Sequence, residues 1–338
     1  MGWRNFVAHS TLRTWRQRAR IALNHHLNWS ASGIGVRNLD IESRVHNHRL
    51  AATRAHSRLG TFKAELTDMD INAFKRFEYR GWQGAVENYD QHFSPLTRQT
   101  IGPLLDAVQA GPNTSLLDVA SGPGHVAAAA QRRGAKAVGF DFSEAMIERA
   151  CVLYPTLLCC LGDAEQLPFG ECAFDAGAMN FGILHLAQPE TAIREAHRVL
   201  RPEGRFAFSV WDKPERAVGF GLALRAIEKF GDSNAPPPEG PPFFRFSDPA
   251  EFAQVFEAVG FSDMEVVSLP LTWKLNSADD LFDAFYLGTA RTGGLLRSQS
   301  ASTLAVIREA MCKDAVQYVE NSRLMIPMSA LVVAAMKS

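Results

Sequence analysis

The sequence predicts an α/β fold in which seven mostly parallel strands form a doubly wound sheet, with an antiparallel last strand and a helical cap inserted after the fifth strand. Two observations support this prediction. The apolar run at residues 116–119 ends in the glycine-rich turn 121–124, and good helix formers follow at residues 127–133. Strand-like and helix-like patterns then alternate as far as Trp211. Such alternation is typical of a parallel sheet that binds its ligands at the carboxyl ends of the strands.

Seven apolar runs bounded by turn signals predict the strands. They are residues 116–119, 135–140, 157–161, 174–181, 204–211, 264–275 and 324–336. The last run is expected to be antiparallel, at or near the sheet edge. Before the first strand, aromatic residues at mixed spacings of three and four predict an amphipathic helix over residues 72–93. Such a helix can close over the ligand crevice, and Tyr89 is the residue we expect there.

The first 39 residues contain six arginines and no acidic residue, unlike the rest of the chain. Poor hydrophobic periodicity between residues 30 and 67 favours a basic, disordered extension over residues 1–68. An arginine-rich presequence for an organelle is the alternative, and a basic arm that touches nucleic acid is less favoured. We expect the folded domain at residues 69–338, with the cap and substrate region at about 212–250 and 277–320.

Composition excludes several other classes of protein. The chain has 338 residues, 46% hydrophobic content and a formal net charge of -1, so it can bury a full core and shows no global bias toward nucleic acid or membrane. Its five cysteines lack paired spacing, and neither a disulfide framework nor a metal site is expected. No apolar run approaches the length of a membrane span. We therefore expect a soluble, cytoplasmic protein, or an organellar one if the extension is a presequence.

The glycine turn alone does not identify its ligand, because Gly122 and Gly124 with Ala127 also satisfy a loose dinucleotide-binding pattern. Asp118, just before the turn, would be of no use to a pyrophosphate and suits a cationic ligand end such as an α-amino group. Its alternative role is to cap the turn. Asp141 follows the second strand, nineteen positions beyond Gly122. An acid there is placed to accept hydrogen bonds from a ribose diol.

Four segments together carry a family resemblance: LDVASGPG at 117–124, GFDFS at 139–143, GDAEQLPF at 162–169 and RVLRPEG at 198–204. In this order they resemble the class I S-adenosylmethionine-dependent methyltransferases, in the small-molecule branch related to ubiquinone and menaquinone methylases. The resemblance covers about residues 74–212, and Glu203 stands where the family commonly has glycine. It implies a Rossmann-like fold and S-adenosyl-L-methionine as the cofactor.

Carried over residue by residue, the resemblance implies where the methionine end of the cofactor lies. The backbone of Ala120, Gly122 and Gly124 would pass beside it. Asp118 would support it, including its ammonium group. Asn180 would sit below the sulfonium.

The resemblance also implies the adenosine contacts. Asp141 would bind the ribose hydroxyls, and Phe142 and Met146 would flank the adenine. Asp163 and the backbone of Ala164 would read the adenine edge. Tyr89 would cover the sulfonium end from the preceding helix.

His185, just after the fourth strand, is the candidate general base for a hydroxyl or phenol acceptor, and its alternative role is to pack or cap the following loop. His125 is expected to serve the first turn of its helix. Aromatic and aliphatic residues suggest an apolar or aromatic small-molecule substrate. They are Phe181, Ile183, Leu184, Trp211, Phe220, Phe243, Phe244 and Phe246.

The resulting functional hypothesis is methyl transfer by in-line displacement to an oxygen, nitrogen or carbon of such a molecule. A non-catalytic subunit or scaffold that binds S-adenosylmethionine is the alternative. A dehydrogenase leaves Asp118 and the segment 162–164 unexplained. A nucleic-acid methyltransferase is disfavoured, because no N/D-P-P-Y segment follows the fourth strand and no basic face occurs beyond the first forty residues.

Overall fold

An eight-stranded sheet organises the part of the chain that the structure, a computed structural model, describes: residues 70–232 and 237–338. The predicted extension at 1–68 lies outside these residues, as does part of the proline-rich loop that precedes residue 237. The strands are β1 (Ser115–Val119), β2 (Lys136–Asp141), β3 (Leu158–Leu161), β4 (Phe174–Asn180), β5 (Leu200–Trp211), β6 (Phe261–Leu275), β7 (Val319–Glu320) and β8 (Arg323–Lys337).

The strand order is β3-β2-β1-β4-β5-β8-β6, with β7 paired to β8. Strands β1 to β5 are parallel to one another, whereas β8 is antiparallel to both β5 and β6. The doubly wound, mostly parallel sheet with an antiparallel last strand is therefore confirmed. The sheet has one strand more than the seven expected. The additional strand is β7, which has only two residues and is too short to be recognised as an apolar run. A tight turn with positive φ at Asn321 and Ser322 joins β7 to β8.

The last strand, β8, lies next to the edge of the sheet, as expected. β8 lies inside the sheet, and β6 forms the edge. Residues 328–335 of β8 are buried without interruption, as both faces of an interior strand require. Residues 263–268 of β6 are exposed and include Asp263 and Glu265, which suit an edge strand because charges discourage pairing with another chain.

Ten helices of at least two turns surround this sheet within the described residues. They are α1 (Ile71–Asn88), α2 (Ile101–Ala107), α3 (His125–Arg132), α4 (Glu144–Leu153), α5 (Pro189–Val199), α6 (Val218–Phe230), α7 (Pro249–Val259), α8 (Ala278–Gly288), α9 (Arg291–Arg297) and α10 (Ala301–Ala315). The π-helical segment Tyr89–Phe93 continues α1.

Several helices begin at a side-chain cap. Ser143 accepts a hydrogen bond from the Met146 amide at the start of α4. Asp248 caps α7, whose first residue is Pro249, and Gly260 ends that helix with φ of 100°. These caps satisfy backbone groups that a helix end leaves unpaired.

The two faces of the sheet carry side chains of different size. Phe206, Phe208 and Val210 of β5 point to a face covered by α5 and α7, where they pack in a large aromatic core. Ala207, between them, points to the other face, where alanines of β4 and α3 allow the helices to approach closely. Both faces are thus covered, and the strand ends remain available for a ligand.

The helices of the predicted cap pack together beside the sheet. α6, α8, α9 and α10 contact one another, and α1 packs against α8 and α9. No helix within residues 70–232 and 237–338 combines the length and the apolar character that crossing a membrane requires.

Candidate active site

A cavity of about 470 Å³ opens at the carboxyl ends of β1 and β4. The strand order reverses at this point, since β2 lies on one side of β1 and β4 on the other. Open α/β sheets bind their ligands at such a switch point. Ten predicted site residues line the cavity: Tyr89, Ala120, Gly122, Asp141, Phe142, Met146, Asp163, Ala164, Asn180 and His185.

The loops after β1 and β4 meet in a strained contact. Ala120 and Phe181 both have left-handed backbone conformations, with φ of 53° and 58°. A Cβ on Gly182 would lie 2.5 Å from the Cβ of Ala120, so only glycine fits there. Such conformations persist only where the surrounding structure enforces them, often at ligand sites.

Gly122 faces open space. Its φ is 51°, and the nearest atom to an added Cβ is the Met146 sulfur at 4.0 Å. Beside it, Ser121 lines the cavity, and its buried hydroxyl has no hydrogen-bond partner within the described residues. This turn therefore offers room to a ligand.

Asp141 is buried at the end of β2 and supports the same turn. Its Oδ2 accepts a hydrogen bond from the Gly122 amide at 2.7 Å, and its Oδ1 accepts one from the Ser143 amide at 2.9 Å. Burial raises the pKa of Asp141 to about 6, although hydrogen bonds from backbone amides and the electrostatic influence of the nearby His185 act in the opposite direction.

Asp118 and Gly124, both predicted to contact the cofactor, do not line the cavity. Asp118 lies behind the wall, where its Oδ2 accepts a hydrogen bond from the Ala127 amide at 2.9 Å and so caps the first turn of α3. Burial, aided by the charge of Asp141, raises the pKa of Asp118 to about 8. Its Oδ1 has no hydrogen-bond partner in the described part of the chain. Asp118 therefore has a capping role in the structure, and its contact with an ammonium group stays a prediction.

Gly124 has a packing role. Its φ of 79° begins α3, and a Cβ there would lie 2.8 Å from Leu157 and 3.2 Å from Ala150. The missing side chain therefore faces α4 and the residues before β3, and contact of the Gly124 backbone with the cofactor stays a prediction.

The adenosine-facing residues expected from the sequence line one end of the cavity. Phe142 and Met146 lie beside Asp141, and Asp163 lies across from them after β3. Asp163 already has a partner, because Lys75 of α1 places its Nζ 2.7 Å from Oδ2 of Asp163 and 2.6 Å from Glu165.

Asn180 and Tyr89 also line the cavity. Asn180 Oδ1 accepts hydrogen bonds from the hydroxyls of Thr100 and Ser209, both at 2.6 Å, which fix the amide. Tyr89 shares a hydrogen bond of 3.2 Å with the Thr97 hydroxyl. Burial raises the pKa of Tyr89 to about 12, so its phenol keeps its proton.

His185 lies at the other end of the cavity, in the 3-10 turn after β4. Its ring packs against Trp82, with the centroids 4.8 Å apart, and against Phe243. Nδ1 lies 3.1 Å from Oε2 of Glu78, a wholly buried residue of α1 that the sequence reasoning missed. A signal for it exists: Glu78 lies four residues from both Phe74 and Trp82, on the buried stripe of the helix.

Four of the eight apolar residues suggested for substrate contact line this end: Phe181, Trp211, Phe220 and Phe243. Phe181 and Trp211 stack with centroids 4.1 Å apart. Phe246 instead packs against Phe208 in the core. The cavity therefore has a polar end at the glycine turn and an aromatic end around His185.

Helix α1 is tied over the cavity by side chains on its outer face. Besides Lys75, Tyr79 and Gln83 both donate hydrogen bonds to Glu144 at the start of α4. The Gln83 side-chain oxygen also accepts a hydrogen bond from the Ala145 amide at 3.0 Å.

Comparison with known families identifies the domain built on this sheet. A family described as "Methyltransferase domain" matches residues 117–208, from β1 to β5. The chain carries a class I methyltransferase domain. Domains of this class use S-adenosylmethionine, the cofactor expected from the four sequence segments.

The curated relatives of this methyltransferase domain cover only part of the chain. A demethylmenaquinone methyltransferase of Renibacterium salmoninarum is 29% identical over 175 residues, which are 49% of this chain and 74% of the relative. One of Streptomyces avermitilis is 35% identical over 126 residues, which are 36% of this chain and 54% of the relative. Among solved structures, the YcgJ protein of Bacillus subtilis is similar in fold, with a TM-score of 0.50, 17% identity and coverage of 71% of this chain and 98% of that one.

The polar end of the cavity fits the cofactor of this methyltransferase domain. The open space at Gly122 leaves room for a ligand against the backbone. Asp141 can accept hydrogen bonds from hydroxyl groups, and Phe142 and Met146 offer apolar surface to a base.

The raised pKa of Asp141 predicts that cofactor binding depends on pH. The ionised carboxylate accepts hydrogen bonds from a diol, so binding favours that form, and below pH 6 a proton must first be lost. We expect the Kd for S-adenosylhomocysteine to rise about tenfold between pH 7 and pH 5. Calorimetry across this range measures it. Asp118→Asn, which removes the neighbouring titrating carboxyl, serves as the control, and a Kd that is independent of pH in both proteins contradicts the prediction.

Proposed function

We propose that this protein transfers a methyl group from S-adenosylmethionine to an apolar, aromatic small molecule. The observation that carries the proposal is the continuity of the cavity, which joins the glycine turn and Asp141 to the aromatic end around His185. A cofactor held at the first end and an acceptor at the second would meet near Asn180. The relatives' names support an aromatic acceptor, since they name a demethylmenaquinone.

The chemistry asks the protein mainly to hold the two reactants in line and exclude water. Well-oriented placement supplies on the order of 7–11 kcal/mol, whereas a general base adds about 10²–10⁴-fold in rate. The cofactor supplies an electrophilic methyl group on a sulfonium. The chain supplies the rest: Gly122 and Asp141 to orient the cofactor, the stacked Phe181 and Trp211 to hold a flat acceptor, and His185 to receive a proton.

We also propose that the protein works in a reducing, cytoplasmic setting. None of the five cysteines, all within the described residues, forms a disulfide, which supports this setting. The organelle alternative depends on the extension at 1–68.

Labelling of an extract tests the function. We expect that a cell extract incubated with the protein and methyl-deuterated S-adenosylmethionine contains a metabolite that gains the labelled methyl group, detectable by mass spectrometry. Asp141→Ala should give no such product. Binding of S-adenosylhomocysteine by the wild type together with an absence of labelled metabolite would instead support the non-catalytic scaffold.

A further inference from the structure

Glu78 is a buried acid with an unusual set of neighbours. Its Oε2 accepts a hydrogen bond from Trp82 Nε1 at 3.1 Å and lies 3.1 Å from Nδ1 of His185. Its Oε1 has no hydrogen-bond partner in the described part of the chain, and the nearest cationic group is the guanidinium of Arg291, with Nε at 3.8 Å. Burying a carboxylate costs several kcal/mol unless charged partners offset it. Arg291 provides the countercharge.

The pair fixes which nitrogen of His185 carries the proton when the ring is neutral. An ionised carboxylate only accepts hydrogen bonds, so Nδ1 of His185 must donate to Glu78. In the neutral ring the proton then resides on Nδ1, and Nε2 carries the free lone pair. His185 and Glu78 both line the cavity, and the ring lies between Trp82 and Phe243.

Arg291 also fixes the backbone around this pair. Its guanidinium donates to the carbonyl oxygen of Leu184 at 3.0 Å, next to His185, and to that of Pro241 at 2.8 Å. It lies over the rings of Phe74 and Phe243 as well. The imidazole is therefore restrained through its ring, its hydrogen bond and its backbone.

We propose that Glu78 is the positioning residue of His185 and that Nε2 of this histidine takes the proton of a hydroxyl borne on an aromatic acceptor. This inference rests on the proposed function. In the overall reaction the acceptor loses that proton and gains the methyl group, the carbon–sulfur bond breaks with its electron pair on sulfur, and the sulfonium becomes a neutral thioether. The proton rests on the imidazole, opposite the Glu78 carboxylate, before it passes to water.

The acidity of the hydroxyl and the residues that form the cavity walls both favour a phenol as the acceptor. A phenol has a pKa of about 10, as in tyrosine, so a neutral imidazole can remove its proton. An aliphatic hydroxyl, whose pKa is close to that of water at about 15.7, keeps its proton. The stacked rings of Phe181 and Trp211, with Phe220 and Phe243, offer flat apolar walls to an aromatic ring.

Nitrogen NMR of the imidazole tests the positioning role without any acceptor. Spectra of the full chain at about pH 8.5, above the ordinary imidazole pKa, report which ring nitrogen carries the proton. The signals of His185 are those lost in His185→Gln. We expect a protonated Nδ1 and an unprotonated Nε2 in the wild type, and loss of this preference in Glu78→Leu. Glu87→Leu, on the exposed face of the same helix, should keep the wild-type pattern.

Two results overturn the positioning role: a wild-type His185 that is protonated at Nε2, or an unchanged tautomer in a folded Glu78→Leu. If Glu78→Leu does not fold, the wild-type tautomer alone decides. The calorimetric titration with S-adenosylhomocysteine is independent of these spectra. An absence of binding contradicts the proposed function but does not affect the tautomer assignment.

A pair of probes tests the acceptor class in the same spectra. With S-adenosylhomocysteine present, 1-naphthol should shift the Nε2 resonance of His185, whereas 1-methoxynaphthalene, which lacks the hydroxyl, should not. Equal shifts with both probes, or no shift with 1-naphthol, overturn the hydroxyl assignment.

Discussion

Asp141→Ala is expected to weaken the binding of S-adenosylhomocysteine by at least about 100-fold. The carboxylate is the one predicted to accept hydrogen bonds from both ribose hydroxyls. A hydrogen bond to a charged group contributes about 1.5–3 kcal/mol, and 1.4 kcal/mol corresponds to a factor of ten in affinity. Isothermal calorimetry of wild type and variant measures the difference directly.

The control for this variant must address the second role of Asp141, which is to accept hydrogen bonds from the Gly122 and Ser143 amides. Asp175 is a matched acid, because it accepts a hydrogen bond from the Ser115 amide at 2.8 Å and does not line the cavity. Asp175→Ala should therefore bind like the wild type, with a comparable loss of thermal stability. Tight binding by a folded Asp141→Ala contradicts the assignment of the cofactor site.

His185→Ala is expected to slow formation of the labelled product by about 10²–10⁴-fold, the usual contribution of a general base. Affinity for S-adenosylhomocysteine should change little, because His185 lies at the aromatic end of the cavity. Initial rates of label transfer, measured alongside calorimetry, separate the two effects.

His197 provides the matched control for this histidine. Its ring also packs edge-on against an aromatic residue, Phe261, with centroids 4.9 Å apart, and it does not line the cavity. His197→Ala should keep the wild-type rate. A His185→Ala variant that turns over at the wild-type rate would leave the histidine with the packing role that the sequence also allowed.

The sheet was predictable because its signals are local. Each parallel strand is a short apolar run closed by a turn, and the glycines, Asp141 and Asp163 follow strand ends whose positions the topology fixes. The order of the antiparallel strands is not local. The uninterrupted burial of β8 and the charges of β6 show which of the two strands is outermost only when they are compared, so the sequence places the last strand only at or near the edge.

Asp118 and Gly124 show the limit of a motif. The pattern predicts ligand contact for all its members, whereas in the structure only some of them line the cavity. Gly122 faces open space, but Gly124 faces Leu157 and Ala150. Asp118 lies behind the wall of the cavity and caps α3. Only the packing of α3 against its neighbours separates these roles, and that packing is set by residues well outside the turn.

The pair of Glu78 and His185 was beyond sequence reasoning for a different reason. The two residues are 107 positions apart, and they meet only because α1 packs across the end of β4. Arg291 comes from a third region of the chain. Within α1 the acid is visible as a charged residue on an apolar stripe, but the stripe does not reveal its partner.

The outer face of α1 differs from its inner face in the strength of its contacts, and this bears on how the cavity is entered. Lys75 and Asp163 form a partly exposed ion pair that is worth at most about 1 kcal/mol. Dissolved salt, whose screening length is roughly 8–10 Å, weakens such exposed pairs more than buried ones. The inner face is anchored by the wholly buried Glu78. We therefore expect ionic strength to act on the rim above the adenosine end and not on the histidine pair, so that cofactor binding responds to salt while the geometry of proton transfer does not.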